Sequence, residues 1–201
     1  MREFPEFAQW CFTVLNEQDT TPWNFRTIPF YQHYKSLYRV SRMLQPRSIM
    51  EVGVRFGYGA HALLTGAYCS ATYTGIDFNE PSWGPYSGVP AEWAIEMLRR
   101  TCVQEKLQVF DWDTQKPGMP PEFKGIAFTT DFDLVHIDAC HSFEGALSDM
   151  HKFWPYCTRA MLVDDYDDIR TVHYAVCQFT RDSGALLYTN HTSQGSALLI
   201  K

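Results

Sequence analysis

The sequence predicts an α/β fold, a three-layer sandwich in which helices cover both faces of a mostly parallel, seven-stranded sheet that ends in an antiparallel hairpin. Three observations predict it. Short apolar runs alternate with helical stretches five times along the chain. Two of the runs, within FDLVHIDACH at Phe132–His141 and MLVDDYDD at Met161–Asp168, end abruptly in acid, as a buried parallel strand does where its carboxyl end opens into a site. The tail, Ala185–Tyr188 and Ser196–Ile200 about a turn through Asn190–Gly195, reads as a hairpin.

At 201 residues the chain suits one domain that buries a large core without disulfide or metal staples. Net charge is -6, from 17 basic and 23 acidic residues, and no Lys/Arg run stands out. A nucleic-acid backbone is therefore a poor partner, and a small or neutral substrate suits the balance better. The six cysteines lack the C-x-x-C spacing of zinc or redox sites, so free thiols in a reducing cytoplasm are expected. Acids and a proline interrupt the N-terminus where a signal peptide needs an apolar run, and no segment approaches the ~18 apolar residues of a membrane span.

Residues 1–45 are rich in aromatics and read as two helical pieces separated by DTTPW at Asp19–Trp23. In the second piece Tyr34, Leu37, Tyr38, Ser41 and Leu44 recur at helical spacing, and Pro46 stops it. The segment is expected to pack on the sheet and to serve as a substrate lid or a homodimer face, roles that are compatible. Ser48–Val54 is the first strand, followed by a loop with Gly53, Gly57 and Gly59 and a helix from about Ala60. Such glycines let the backbone approach a ligand closely, and the helix start offers N–H groups. Tyr73–Asp77 is a second strand whose terminal acid could accept hydrogen bonds from two ribose hydroxyls.

The proline-rich stretch Phe78–Pro90 reads as a loop above the ligand, and Ala91–Val103 as a helix. Leu107–Phe110 is a third strand running into Asp111-Trp112-Asp113, which could hold an adenine ring or be a surface turn with a buried tryptophan. Leu134–Ile137 is the fourth strand, with Asp138 at its end and a helix from about Ser142 whose apolar face is Phe143, Leu147, Met150 and Trp154. Met161–Val163 is the fifth, before a helix patterned by Ile169, Val172, Val176 and Phe179. His136, inside its strand, is expected to be a hydrogen-bonded core histidine, and His61 and His173 are expected to be structural.

Neighbouring strand ends lie about 4.8 Å apart, so Asp138, Asp164 and Asp165 could share one small ion. Without an ion they would repel, raising at least one pKa. A hard divalent cation relieves this and can acidify a bound hydroxyl. The plainer alternative is that Asp138 caps the next helix or touches a cofactor, while Asp164–Asp168 is an acidic helix start. His141, just after the strand-end turn, could act as a general base or as a helix-capping or surface residue.

Glu51-x-Gly53-x-x-x-Gly57, Asp77 ending the second strand, FDLVHIDACHSFE, LVDDYD and the terminal hairpin together resemble class I S-adenosylmethionine (SAM)-dependent methyltransferases, which are Rossmann-like. The resemblance is to the metal-dependent small-molecule O-methyltransferases, including macrolide-sugar methyltransferases and relatives of cephalosporin hydroxylase. It covers about residues 46–201 and implies a SAM-binding domain there. By that resemblance Glu51, Gly53 and Gly57 line the methionine end of SAM, Asp77 binds ribose, Asp111 and Trp112 meet adenine, and Asp138 lies beside the cofactor. It also makes Asp138, Asp164 and Asp165 ligands of Mg²⁺ or another divalent cation, and His141 the base that takes a proton from a substrate hydroxyl.

Two features depart from that pattern. Ala139 and Cys140 stand where the family commonly has glycine after the first metal acid, and the chain has no sizeable added domain that would carry over a relative's substrate. A NAD-dependent oxidoreductase shares the glycine loop and ribose acid, but E-x-G-x-x-x-G is not G-x-G-x-x-G and the hairpin is foreign to it. A non-catalytic partner subunit of the same fold is disfavoured by acids at every expected strand end.

Overall fold

Seven strands build one sheet: β1 (Ser48–Val52), β2 (Thr72–Asp77), β3 (Leu107–Asp111), β4 (Phe132–Ile137), β5 (Cys157–Asp164), β6 (Leu186–Asn190) and β7 (Ser196–Ile200). Their order across the sheet is β3-β2-β1-β4-β5-β7-β6. The first five are parallel, and the β6–β7 hairpin adds antiparallel strands beyond β5. This computed structural model describes residues 28–55, 57–78, 94–96, 98–99, 106–118, 131–190 and 195–201. The first N-terminal helical piece, nearly all of the 78–90 loop and most of the 91–103 helix lie outside the described residues.

From β1 the chain moves to β2 and β3 on one side and returns to β4 on the other, so β1 and β4 flank the topological switch point. In sheets of this kind a ligand crevice opens there, at the carboxyl ends of the strands. Gly53, Asp138 and Asp165 all lie at that end.

Among the described residues the sheet is covered by α1 (Ile28–Leu44), α2 (Tyr58–Gly66), α3 (Phe143–Phe153) and α4 (Arg170–Ser183). Strand side chains alternate between faces, and the core accordingly divides in two. Ile49, Leu134 and Leu162 pack with Leu37 of α1 and Leu63 of α2. Met50, Val135 and Met161 pack with Met150 of α3 and Val176 of α4. Among the described residues no helix is long and apolar enough to cross a membrane.

Several elements differ from their sequence pattern in informative ways. Strand β5 begins at Cys157, four residues before the apolar run: Cys157 pairs with Phe132, and the exposed Thr158 and Arg159 form an irregularity before Ala160 pairs with Leu134. On α3 the buried stripe is Ala146, Asp149, Met150 and Phe153, with Phe143, Leu147 and Trp154 only partly covered. On α1 the buried residues are His33, Ser36, Leu37 and Ser41, while Tyr34 and Tyr38 are half-buried. Helix α1 is fastened along its length. Ser41 donates to the Leu63 carbonyl at 2.6 Å, Gln45 to the Gly66 carbonyl at 2.8 Å, and Asn190 to Ser36.

Candidate active site

The glycine loop follows β1 directly. Gly53 has φ +90°, and its N–H donates to the Ile76 carbonyl at 2.8 Å. A Cβ on Gly53 would overlap the backbone carbonyl of Asp138, so the loop and the end of β4 share a wall only a glycine can form. Gly57, at φ +80°, caps α2, whose first turn carries no side-chain cap. Asp77 sits behind this loop and accepts the N–H of Arg55. Burial pushes the Asp77 carboxyl up, and the backbone N–H groups of Arg55, Phe78 and Val54 pull the other way. The acid thus shapes the loop at the position expected to meet a ribose.

Glu51 is inside the protein, 1% exposed. It accepts hydrogen bonds from the Tyr73 hydroxyl and from His136 Nδ1, the latter at 2.9 Å. A Cβ at Gly59 would come within 2.5 Å of its Oε1, so Glu51 supports the first turn of α2 from below. Gly75, opposite Glu51 in β2, leaves the space into which Tyr73 leans. Burial alone would lower the His136 pKa, but the hydrogen bond and charge of Glu51, joined by the charges of Asp164 and Asp138, raise it to about 9. The expected core histidine is therefore half of a buried ion pair.

At the ends of β4 and β5 the structure brings Asp138, His141 and Asp165 together. His141 Nε2 lies 3.7 Å from Asp138 Oδ1 and 3.1 Å from Asp165 Oδ2. One donor atom from each residue fits within a 4.8 Å span. Hydrogen bonding to Asp138 and to Asp165 raises the His141 pKa to about 10, against a smaller opposing effect of burial. The His141 turn is held from the far side by Thr171 of α4, whose hydroxyl donates to the His141 carbonyl at 2.5 Å. Ser142 caps α3 by accepting the Gly145 N–H at 3.0 Å, so the cap falls to Ser142 and not to Asp138 or His141.

Asp164 is elsewhere. Its Oδ2 accepts from His33 Nε2 of α1 at 3.0 Å and lies 4.0 Å from His136 Nε2. Asp165 adopts φ +56°, a left-handed turn that sends consecutive carboxylates in different directions. Glu51, His136 and Asp164 all point to the α1/α2 face, and the polar row Tyr73–Glu51–His136–Asp164–His33 runs beneath the site across four strands and one helix. Burial alone would lower the His33 pKa, yet the Asp164 carboxylate raises it.

Asp111 is exposed at the end of β3, and Trp112 donates its backbone N–H to the Asp77 carbonyl at 2.7 Å. The Trp112 ring is half-buried against α3, with Lys152 Nζ 4.8 Å from its centroid. His33 was not among the residues expected from sequence. Its signal was its place on the same helical stripe as Leu37, Ser41 and Leu44, which assigns it to the covered face of α1.

A family model described as "Methyltransferase domain" matches residues 50–166. No protein of curated function matches the chain. Among solved structures, the O-methyltransferase from Bacillus cereus in complex with SAH is 14% identical with a TM-score of 0.62, covering 100% of this chain and 91% of that one. TomG, the O-methyltransferase from Streptomyces achromogenes involved in tomaymycin synthesis and solved with SAM, is 16% identical with a TM-score of 0.58, covering 100% and 90%. An SAH-bound methyltransferase of Podospora anserina is 14% identical with a TM-score of 0.65, covering 98% and 86%. At these identities the likeness is one of fold.

Proposed function

The chain belongs to the methyltransferase-domain family, and on that premise we propose that it transfers a methyl group from SAM to a hydroxyl of a small molecule such as a sugar or natural product. The observation that carries this reading is the shared wall between Gly53 and Asp138: the loop suited to the donor and the acid/histidine rim suited to an acceptor meet backbone to backbone. The O-methyltransferases whose fold it shares support the choice of oxygen as the methylated atom.

In this reading the uncapped first turn of α2 receives the carboxylate end of the donor. Gly53 and Gly57 let the backbone close on it, Glu51 supports the loop from beneath, and Asp77 holds the loop and meets the ribose side. Asp111 and Trp112 border the adenine end. The acceptor lies over Asp138, where its oxygen attacks the donor methyl in line. The new C–O bond forms as the S–C bond breaks, and the bonding pair stays on sulfur. Positioning carries much of the rate, because the sulfonium already supplies a good leaving group.

Asp138 and Asp165, two carboxylates within one small span beside His141, fit a divalent cation such as Mg²⁺. When bound, such an ion supplies positive charge that acidifies the acceptor hydroxyl and relieves the carboxylates of their pairing with His141. The chain's own part is to receive the hydroxyl proton at His141 Nε2. In the free protein Asp138 and Asp165 keep that nitrogen protonated, so the base role needs their charge compensated. Residues 28–45 cover the α2 side of the sheet, which suits a lid or homodimer segment.

The test is direct. Purified protein is incubated with SAM, Mg²⁺ and a panel of sugars, phenols and amines, and SAH release and product mass are measured. Methylated hydroxyl products are expected; transfer only to amines would overturn the oxygen assignment.

A further inference from the structure

Two consecutive acids at the end of β5 go to different partners, and helix α1 supplies the partner that separates them. Asp165 turns to His141 at 3.1 Å, while Asp164 turns under the sheet end to His33 at 3.0 Å. We infer that His33 is a positioning residue: by holding Asp164 on the α1 face it withholds that carboxylate from the Asp138–His141–Asp165 cluster, and so sets how many carboxylates a divalent cation meets there.

Three observations carry this. Period-two alternation in β5 places Asp164 on the face shared by Leu162 and Ala160, which α1 covers, so the acid is directed at the helix by the strand itself. Helix α1 is pinned there by Ser41, Gln45 and Ser36, which fixes where His33 emerges. Asp164 Oδ1 is buried and has no hydrogen-bond partner among the described residues. Half of the carboxylate is therefore uncommitted, and its other oxygen is held by His33 at 3.0 Å, with His136 Nε2 4.0 Å away. A buried oxygen of that kind is costly to leave unpaired and gains by moving to a cation.

The inference rests on the cation reading of the cluster, and the experiment separates the two. Mn²⁺ binding is measured calorimetrically on the full chain and on variants whose folding is verified by circular dichroism. Asp165→Asn is expected to weaken binding about tenfold or more, and Asp164→Asn to leave it within about threefold, because only the first removes a ligand. His33→Leu, which removes the nearer of the two histidines beside Asp164, is expected to tighten binding about tenfold, and adding Asp164→Asn to it to cancel the gain. His33→Gln, which keeps a donor near the Nε2 position, is expected to behave as the parent. If the leucine variant does not fold, His33→Asn, too short to reach Asp164, takes its place.

Weakening by Asp164→Asn as large as that by Asp165→Asn would overturn the role of His33 while leaving the cation reading intact. Unchanged affinity in His33→Leu would overturn it as well. Insensitivity to Asp165→Asn would sink the cation reading, and this inference with it.

Discussion

Glu51 and His136 face each other across the β1–β4 ladder and join at 2.9 Å with both side chains 1% exposed. The pair lies at the switch point of the sheet, directly beneath the glycine loop, so its integrity bears on the stability of that loop. Removing one partner leaves the other charge buried and unpaired, which typically costs about 3–5 kcal/mol, whereas replacing both with apolar residues of similar size is often close to neutral. Glu51→Met and His136→Leu singly are each expected to lose stability on that scale in urea denaturation, and together to lose much less than the sum. Strict additivity would show that the pair is not coupled.

Gly53→Ala tests the shared wall. The substituted residue would have to hold φ +90° with its methyl group against the Asp138 carbonyl, so the loop must move. The expected result is a folded protein with a lowered melting temperature that SAM no longer raises; a normal SAM-induced shift would rule out close approach at Gly53.

His141→Ala is expected to reduce turnover about 10²- to 10⁴-fold, the usual range for losing a general base, while SAM affinity stays the same. The readout is single-turnover SAH formation beside calorimetric SAM binding. A loss confined to SAM affinity would place His141 outside the chemistry.

Asp165→Ala is expected to abolish Mg²⁺-stimulated turnover with SAM binding retained. Its carboxylate lies 10% exposed beside His141, within the only acid/histidine cluster of metal-binding geometry among the described residues. Equal stimulation of parent and variant by Mg²⁺ would remove Asp165 from the ligand set.

Asp149 gives a pH signature remote from the site. It is fully buried on α3 and accepts from Gln115 at 3.1 Å. Burial raises its pKa to about 6 from 3.8, against opposing effects of Thr114, Lys152 and Gln115. A carboxyl raised in the folded state favours its neutral form there. Its stabilising contribution is thus complete below about pH 4 and is lost as pH rises through about 6. Asp149→Asn, neutral throughout, is expected to gain stability relative to the parent between pH 4.5 and pH 7.5 in parallel denaturation curves. A gap independent of pH would contradict this.

The strand ends were legible because acid terminates an apolar run, and that pattern marked Asp77, Asp138 and Asp165 at the correct rim of the correct sheet. The helix faces were less so. On α3 the small Ala146 and the polar Asp149 lie in the buried stripe, while the bulkier Phe143 and Leu147 lie at its margin. Direction at the end of β5 was legible only in part. Period-two alternation already assigns Asp164 and Asp165 to different faces, but the left-handed turn at Asp165 and the histidine waiting in α1, 131 residues earlier, exist only once the chain has folded. The same holds for Glu51, which the family resemblance puts at the methionine end of the donor and which the fold buries beneath the glycine loop.

Among the described residues the β1–β4 ladder is the one place where the segment 48–111 and the segment 131–200 pair strand to strand. Its partners, such as Glu51 and His136, are 85 residues apart in sequence. Closing so long a loop is entropically slow to repay compared with forming β2–β3 or the terminal hairpin, and contacts of this separation slow folding. Each segment can gather local structure early, with Glu51 and Tyr73 in one and His136 and Asp164 in the other. The glycine loop and the acid/histidine rim then come together in a single late event, the zipping of that seam, so a chain arrested before it would carry much of its secondary structure and none of its activity.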